Sequence, residues 1–171
     1  MKKILVSALI AIMVGATLTG CGKANNGSNQ SVEQGTGQTS SVSAKEVVEK
    51  LSEEELFMMP TMVDDEMAKD IYHLNLEDIV DYGILVPSVT AQQDAIIVVK
   101  AKEGKVDSVK ASLEEYIQDL LAGHLYPEYL EAAENATIEV NGDLVSLFIL
   151  NSEIKDNIEA KYNDLIKYLT I

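Results

Sequence analysis

The sequence lacks arginine and tryptophan altogether, and its 171 residues include one cysteine, two histidines and two phenylalanines. All 13 cationic residues are lysines, whereas aspartate and glutamate number 28, so the formal net charge is −15. Arginine supplies the planar fork that holds phosphate groups, and nucleic acids bind to cation-rich surfaces. The composition therefore argues against nucleic acid as a partner. It also disfavours an aromatic platform for sugars, although seven tyrosines leave that class open.

The single cysteine leaves no partner for a disulfide within the chain, so the domain must be stable through its core alone. The sequence also lacks several motifs that carry well-understood chemistry: a phosphate-binding loop, a paired CxxC, HExxH, GxSxG and an EF-hand loop. We therefore expect no cofactor, and the sequence names no catalytic residue and no metal ligand.

Residues 1–20 have the pattern of a secretory signal peptide. Two lysines follow Met1, and an apolar run of 15 residues extends from Ile4 to Leu18. A helix that spans a membrane needs about 20 apolar residues, so this run is too short to be one.

The last residue of that run begins a second pattern, Leu18-Thr19-Gly20-Cys21. It resembles the lipobox of bacterial lipoproteins, in which an aliphatic residue and two small residues precede a cysteine. The resemblance implies that Cys21 carries a thioether-linked diacylglycerol, with acyl chains such as palmitate, and becomes the mature N-terminus. Two acyl chains anchor a protein stably, whereas one binds marginally. The alternative is an ordinary signal peptide with a cysteine there by chance.

These patterns divide the chain into three predicted segments. They are a signal peptide at 1–20, a lipidated Cys21 with a disordered tether to residue 43, and one domain at 44–171. Gly, Ser, Asn, Gln and Thr dominate the tether. Such a segment buries too little apolar surface to offset the entropy of ordering it. Its expected span is about 25 Å. The mature chain keeps 11 lysines against 28 acids, and this charge of −17 would repel an anionic membrane surface.

Apolar periodicity divides the domain into helices and strands. Helices are predicted at 44–57, 64–74, 105–121, 126–135 and 153–169, and strands at 80–86, 95–99, 136–140 and 144–150. Asn141-Gly142 indicates a type I′ hairpin turn between the last two strands. The strand at 80–86 alternates, which favours one buried face. The continuous apolar run at 95–99 favours burial on both faces.

The predicted fold class is α+β. Two β-β-α units would form a four-stranded, mainly antiparallel sheet with helices packed on it, preceded by short N-terminal helices. We expect the two long helices to lie on one face of the sheet. The N-terminal helices would then cover part of the other face or an edge.

Two groups of residues could carry metal or acid–base chemistry. His73 and His124 would have to converge and recruit carboxylates. Asp64-Asp65-Glu66, with Asp70, could offer oxygen ligands to Ca²⁺. A structural explanation is favoured for both groups. Each histidine lies near the end of a predicted element, and acids in the first turn of a helix suit its dipole.

Two further segments are candidates for an interaction surface. Tyr126, Pro127 and Tyr129 follow a helix stop and lie close to His124, and tyrosines beside a loop can present a binding surface. The alternative is a structural corner. The second segment contains three methionines, which could form a pliable apolar surface or fill the core. These are Met58, Met59 and Met62.

Several short stretches of the sequence occur in a characteristic order. They are Met67-Ala68-Lys69-Asp70-Ile71-Tyr72, Val80-Asp81-Tyr82, Val86-Pro87-Ser88, residues 94–102, Tyr126-Pro127-Glu128 and Asn141-Gly142. In this order and spacing the domain resembles the DUF4358 family of uncharacterised bacterial lipoproteins, over roughly residues 45–170. The family tends to carry Glu where this chain has Asp94. The resemblance supports export and the domain limits, and it transfers no catalytic residue.

We therefore expect a membrane-anchored lipoprotein on the outer face of the bacterial cytoplasmic membrane, with a non-enzymatic accessory or binding domain. Its partners would be the membrane, through lipid on Cys21, and an unidentified envelope or membrane protein. One alternative is a hydrolase of envelope polymer that uses carboxylates with His73 or His124. Another is capture of a small cationic solute or metal by the acidic surface.

Overall fold

The computed structural model describes residues 42–54, 58–88, 94–123 and 126–169. These residues all belong to one compact unit. The predicted signal peptide, Cys21 and the tether up to residue 41 lie outside the described residues, as does His124. Within the described ranges, no helix combines the length and the apolar character that a membrane span requires.

The described elements are five α-helices, one 3₁₀ turn and five strands. They are α1 (Ala44–Ser52), β1 (Pro60–Met62), α2 (Asp65–Asp70), a 3₁₀ turn (Leu76–Asp78), β2 (Ile79–Pro87), β3 (Ala95–Ala101), α3 (Val106–Ala122), α4 (Pro127–Glu134), β4 (Thr137–Asn141), β5 (Leu144–Ile149) and α5 (Lys155–Leu169). The strands form one antiparallel sheet in the order β1-β2-β3-β5-β4.

The α+β class and the antiparallel sheet are confirmed, but the predicted count of four strands is wrong. The fifth strand is β1, which lies between two of the predicted helices. Its pairing with β2 runs from Pro60 opposite Pro87 to Met62 opposite Leu85. Three residues are too few to show a period of two, so only the pairing identifies this strand.

The central strand β3 is buried on both faces, as its continuous apolar run predicted. Ile97 and Val99 belong to one core cluster, and Ile96 and Val98 belong to the other. Successive side chains of a strand point to opposite faces. The sheet therefore separates two apolar layers.

The two long helices lie on opposite faces, so the prediction that they share one face is wrong. On one face, α3 buries Leu113 and Tyr116 among residues of the first cluster. On the other face, α5 buries Ile158 and Tyr162 in the second cluster. An apolar stripe shows that a helix has a buried side, but it does not say which sheet face receives it.

Helix α1 shares its face with α5 and lies against β2. Ser43 caps it, since its side chain accepts a hydrogen bond from the N–H of Glu46. Gly83 of β2 lies directly beneath, where an added Cβ would be 2.7 Å from the Cβ of Val48. α1 ends at Ser52, earlier than predicted. Residues 55–57 of the predicted helix lie outside the described part of the chain.

Strand β2 therefore differs from the predicted strand with one buried face. Gly83 and Leu85 are buried because α1 covers them, although alternation had placed them on the open face. The pairing with β3 is irregular between Ile79 and Asp81. Val80, which alternation had placed inside, is 57 % exposed at this irregularity.

The β4–β5 hairpin is confirmed, but its turn is shifted by one residue. Asn141 pairs with Leu144, so the two loop residues are Gly142 and Asp143. Of these two, only Gly142 has a positive φ, at 65°. A single positive φ at the first loop position is typical of a type II′ turn, whereas the predicted type I′ turn needs a positive φ at both loop positions.

Candidate functional site

The three methionines of the candidate interaction surface are exposed. Met58 is 69 % exposed, Met59 is 72 % and Met62 is 38 %. Met62 ends β1, the strand at one edge of the sheet. These side chains are therefore available to a partner and do not fill the core.

The tyrosine corner is also exposed in part. Tyr126 is 71 % exposed, and its ring packs edge-on against Tyr129 with centroids 6.0 Å apart. Pro127 occupies the first turn of α4, where its missing N–H costs nothing. α4 leads into β4 at the sheet edge opposite to β1. The two predicted surfaces therefore belong to segments that enter opposite edges of the sheet.

One histidine does meet an acid. The Nε2 atom of His73 lies 2.9 Å from Oδ2 of Asp119, and it forms an ion pair when the ring is protonated. His73 follows α2 with a φ of 55°, and the N–H of Leu74 donates to the C=O of Ala68. His73 therefore forms a left-handed stop after α2. The stop ends α2 earlier than predicted and directs His73 toward α3.

Two tyrosines lie beside this pair. The rings of Tyr72 and Tyr116 are 4.7 Å apart, and burial raises the pKa of both hydroxyls. The environment therefore keeps both phenols protonated. Asp119 is 66 % exposed, and neither it nor His73 lines the clefts described below. The arrangement joins α2 to α3.

Two of the four acids proposed as calcium ligands have structural partners. Asp64 caps α2 by accepting from the N–H of Met67 at 3.0 Å, and Asp65 accepts from the hydroxyl of Tyr82. Within the described ranges, no group of three His, Cys, Asp or Glu residues could hold a metal ion. The structure therefore gives no described site to the metal-capture alternative.

A cleft that the sequence analysis did not identify lies where β1 ends. It has a volume of about 730 Å³, and its lining combines apolar and acidic residues. The lining residues are Lys45, Met62, Val63, Asp64, Asp65, Leu76, Ile79, Val80, Asp81 and Tyr82. We call this cleft the β2 notch. The sequence contains no signal for the β2 notch, because the notch depends on how far β1 extends along β2.

The backbone of β2 forms one side of the notch. The N–H of Val63 donates to the C=O of Ile84 at 3.0 Å, immediately beyond the last β1 residue. Alternate residues of an antiparallel strand direct their backbone groups to the same side. The N–H and C=O of Tyr82 therefore point to the same side of β2 as those of Ile84, which is the side where β1 pairs. Beside Tyr82, however, β1 has ended and the chain has turned into α2.

Carboxylates dominate the charge of the notch. Three lining residues are aspartates and one, Lys45, is a lysine. Asp81 accepts from the hydroxyl of Ser43 and from the N–H of Ala44, and this ties the start of α1 to β2. Burial, followed by the carboxylate of Asp65, raises the pKa of the Tyr82 hydroxyl. The notch therefore has a negative potential.

Two other clefts carry mixed charge. One, of about 720 Å³, lies between α1 and α5, where Lys161 forms an ion pair with Glu54. The other, of about 630 Å³, lies beside the start of α5 and includes Lys155 and Asp156. The first cleft has three lysines and three carboxylates, which compensate one another. The second has three carboxylates and one lysine, the same balance as the β2 notch, but none of its lining residues belongs to a strand.

A model of the family described as "Domain of unknown function (DUF4358)" matches residues 52–150. The chain belongs to this family. The match extends from the last residue of α1 to the residue after β5, and it is shorter at both ends than the resemblance suggested. All the lining residues of the β2 notch except Lys45 lie within the DUF4358 match. No curated protein and no solved structure matches the chain.

Proposed function

We propose that this DUF4358 protein is an exported bacterial lipoprotein whose domain acts as a non-enzymatic binding or accessory module at the cell envelope. The observation that carries the proposal is Leu18-Thr19-Gly20-Cys21 at the end of a 15-residue apolar run. The lone cysteine of the chain stands at the position that lipidation requires.

The physical properties of the segments support a tethered domain. A diacylglyceryl group supplies the two acyl chains that stable anchoring needs. The polar tether would hold the domain within about 25 Å of the membrane. Because the chain is strongly acidic, the domain would be repelled by anionic lipid and would remain in solution above it.

The exposed apolar residues support binding as the role of the domain. Met58, Met59 and Tyr126 are each about 70 % exposed. Neighbouring exposed apolar side chains are typical of surfaces that meet another protein, and Met58 and Met59 are adjacent in the chain. The unbranched methionines can adapt their shape to a partner.

The two alternatives have less support. The hydrolase alternative depends on His73 or His124 with a carboxylate. The acid that His73 meets is largely exposed, and His124 lies outside the described residues. The cation-capture alternative depends on Asp64, Asp65, Glu66 and Asp70, and among the described residues no group of three His, Cys, Asp or Glu side chains could hold a metal ion.

The test is cross-linking in intact cells that produce the full chain, followed by identification of what co-purifies. The control is Cys21→Ala, which removes the predicted lipid site and leaves the domain unchanged. We expect one envelope or membrane protein that is enriched with the native chain and reduced with the control. If the native chain and the control recover the same proteins at background level, the proposal fails.

A further inference from the structure

The β2 notch is an interruption in an edge of the sheet. β1 pairs with β2 only from Leu85 to Pro87, and the chain then turns away at Asp64. The β2 residues from Ile79 to Gly83 continue past this point. At about 3.3 Å per residue they offer roughly 16 Å of strand edge, which suits an added strand of four or five residues.

The side chains around the notch suit an extended occupant that has apolar side chains. Val80 is 57 % exposed and Met62 is 38 % exposed, and Leu76 and Ile79 complete an apolar surface. An extended peptide that adds to a sheet edge gains affinity from main-chain hydrogen bonds, and specificity from pockets for alternate side chains. The N–H and C=O of Tyr82 are oriented to form such main-chain hydrogen bonds.

The charge of the notch selects among possible occupants. Three aspartates and one lysine line the notch, so a cationic segment is favoured as the occupant. The tether of this chain has a single lysine, Lys23, and a second copy would bring a net charge of −15. Neither complements the notch.

We propose that the β2 notch binds an extended, lysine- or arginine-containing segment of a partner protein, which adds to β2 beside β1 as a further strand. This inference deepens the proposed function and rests on its binding part, since it names the surface and the chemistry of the partner.

The test uses the full chain in detergent and a fluorescent ten-residue peptide that alternates lysine with valine. One control peptide has glutamate in place of lysine. The other keeps every side chain but is methylated on alternate backbone nitrogens, which removes its capacity to pair as a strand. Fluorescence anisotropy measures binding, and hydrogen exchange measures protection of the Tyr82 amide.

Val80→Lys places a cation in the notch, and Val140→Lys is its matched control. Val140 is 45 % exposed on β4, the strand at the other edge of the sheet, so both substitutions change the total charge equally. We expect Val80→Lys to weaken binding by at least about tenfold, because it juxtaposes like charges. Val140→Lys should leave it within about twofold, since a distant surface charge is largely screened. Met62→Lys serves if Val80→Lys does not fold.

Binding of the lysine–valine peptide that protects the Tyr82 amide and is lost on methylation supports the proposal. Equal weakening by both lysine variants, equal binding of the methylated peptide, or no binding overturns it. Protection of the Tyr82 amide before peptide is added also overturns it, because a segment of this chain or a second copy would then occupy the notch. Cross-linking in cells that is retained by Val80→Lys rejects the notch and leaves the proposed function standing.

Discussion

Replacing Gly83 by alanine tests the packing of α1 on the sheet. An alanine Cβ at this position would lie 2.7 Å from the Cβ of Val48, 2.8 Å from its Cγ2 and 3.2 Å from the C=O oxygen of Ala44. Non-bonded carbon atoms normally approach to about 3.5–4.0 Å. The overlap is thus about 1 Å, and the Val48 Cβ cannot rotate away because it is fixed to the helix backbone.

The expected cost is the difference between two effects. Overpacking of a core costs about 1–3 kcal/mol, and a clash with a fixed atom belongs near the upper limit. Alanine in place of glycine returns about 0.5–1 kcal/mol, because it lowers the entropy of the unfolded chain. We therefore expect Gly83→Ala to lower the free energy of unfolding by about 2 kcal/mol, or the melting temperature by about 6–8 °C.

Urea unfolding monitored by circular dichroism measures this cost. Gly123→Ala is the control, since Gly123 has an ordinary φ of −74° and ends α3 at the surface. We expect it to change the unfolding free energy by less than about 0.5 kcal/mol. In a Val48→Gly background, Gly83→Ala should cost much less than in the native chain. Equal effects of the two alanine substitutions, or no change in that background, would refute the packing of α1 on β2.

Three further predictions concern single contacts. Ser146 donates a hydrogen bond to the buried hydroxyl of Tyr162 at 2.6 Å. Ser146→Ala and Tyr162→Phe should each lower the free energy of unfolding by about 1–3 kcal/mol. The double variant should lower it by less than the sum of the two, because both substitutions remove the same bond. Strict additivity in urea unfolding would contradict this. His73→Val should be about 1–2 kcal/mol less stable than His73→Gly in thermal unfolding, because φ is 55° there; equal stability would contradict the left-handed stop. The side chains of Lys105 and Ser108 lower the pKa of Asp78. The stability that the Asp78 carboxylate adds over Asp78→Asn should be fully present above about pH 4 and should decline as the pH falls through the lowered pKa. A pH-independent difference in unfolding free energy would contradict it.

The local elements were predictable because their signals are local. α3 and α5 show apolar stripes over four turns or more, and they were predicted to within two residues at each end. β3 was predicted as a doubly covered strand because its run is continuously apolar. The hairpin was found from its glycine, although the loop begins one residue later than predicted.

The arrangement of these elements was not predictable to the same degree. The sheet face that each long helix covers depends on its connection to the preceding strand, and periodicity does not record this. β1 exists through its pairing with β2, and a three-residue segment has no readable period. The irregularity in β2 exposes Val80, although Tyr82, Ile84 and Val86 keep the face that alternation predicted. The β2 notch depends on all of these tertiary features, so it appears only in the structure.

The most direct test of the central claim is the mass of the protein after purification from membranes. Intact mass spectrometry, with fragmentation of the N-terminal peptide, would locate both cleavage and lipid. The account predicts a chain that begins at Cys21 and carries a diacylglyceryl group on that sulfur, with Cys21→Ala lacking the lipid. A native chain that retains residues 1–20, or that has an unmodified Cys21 thiol, would contradict the account.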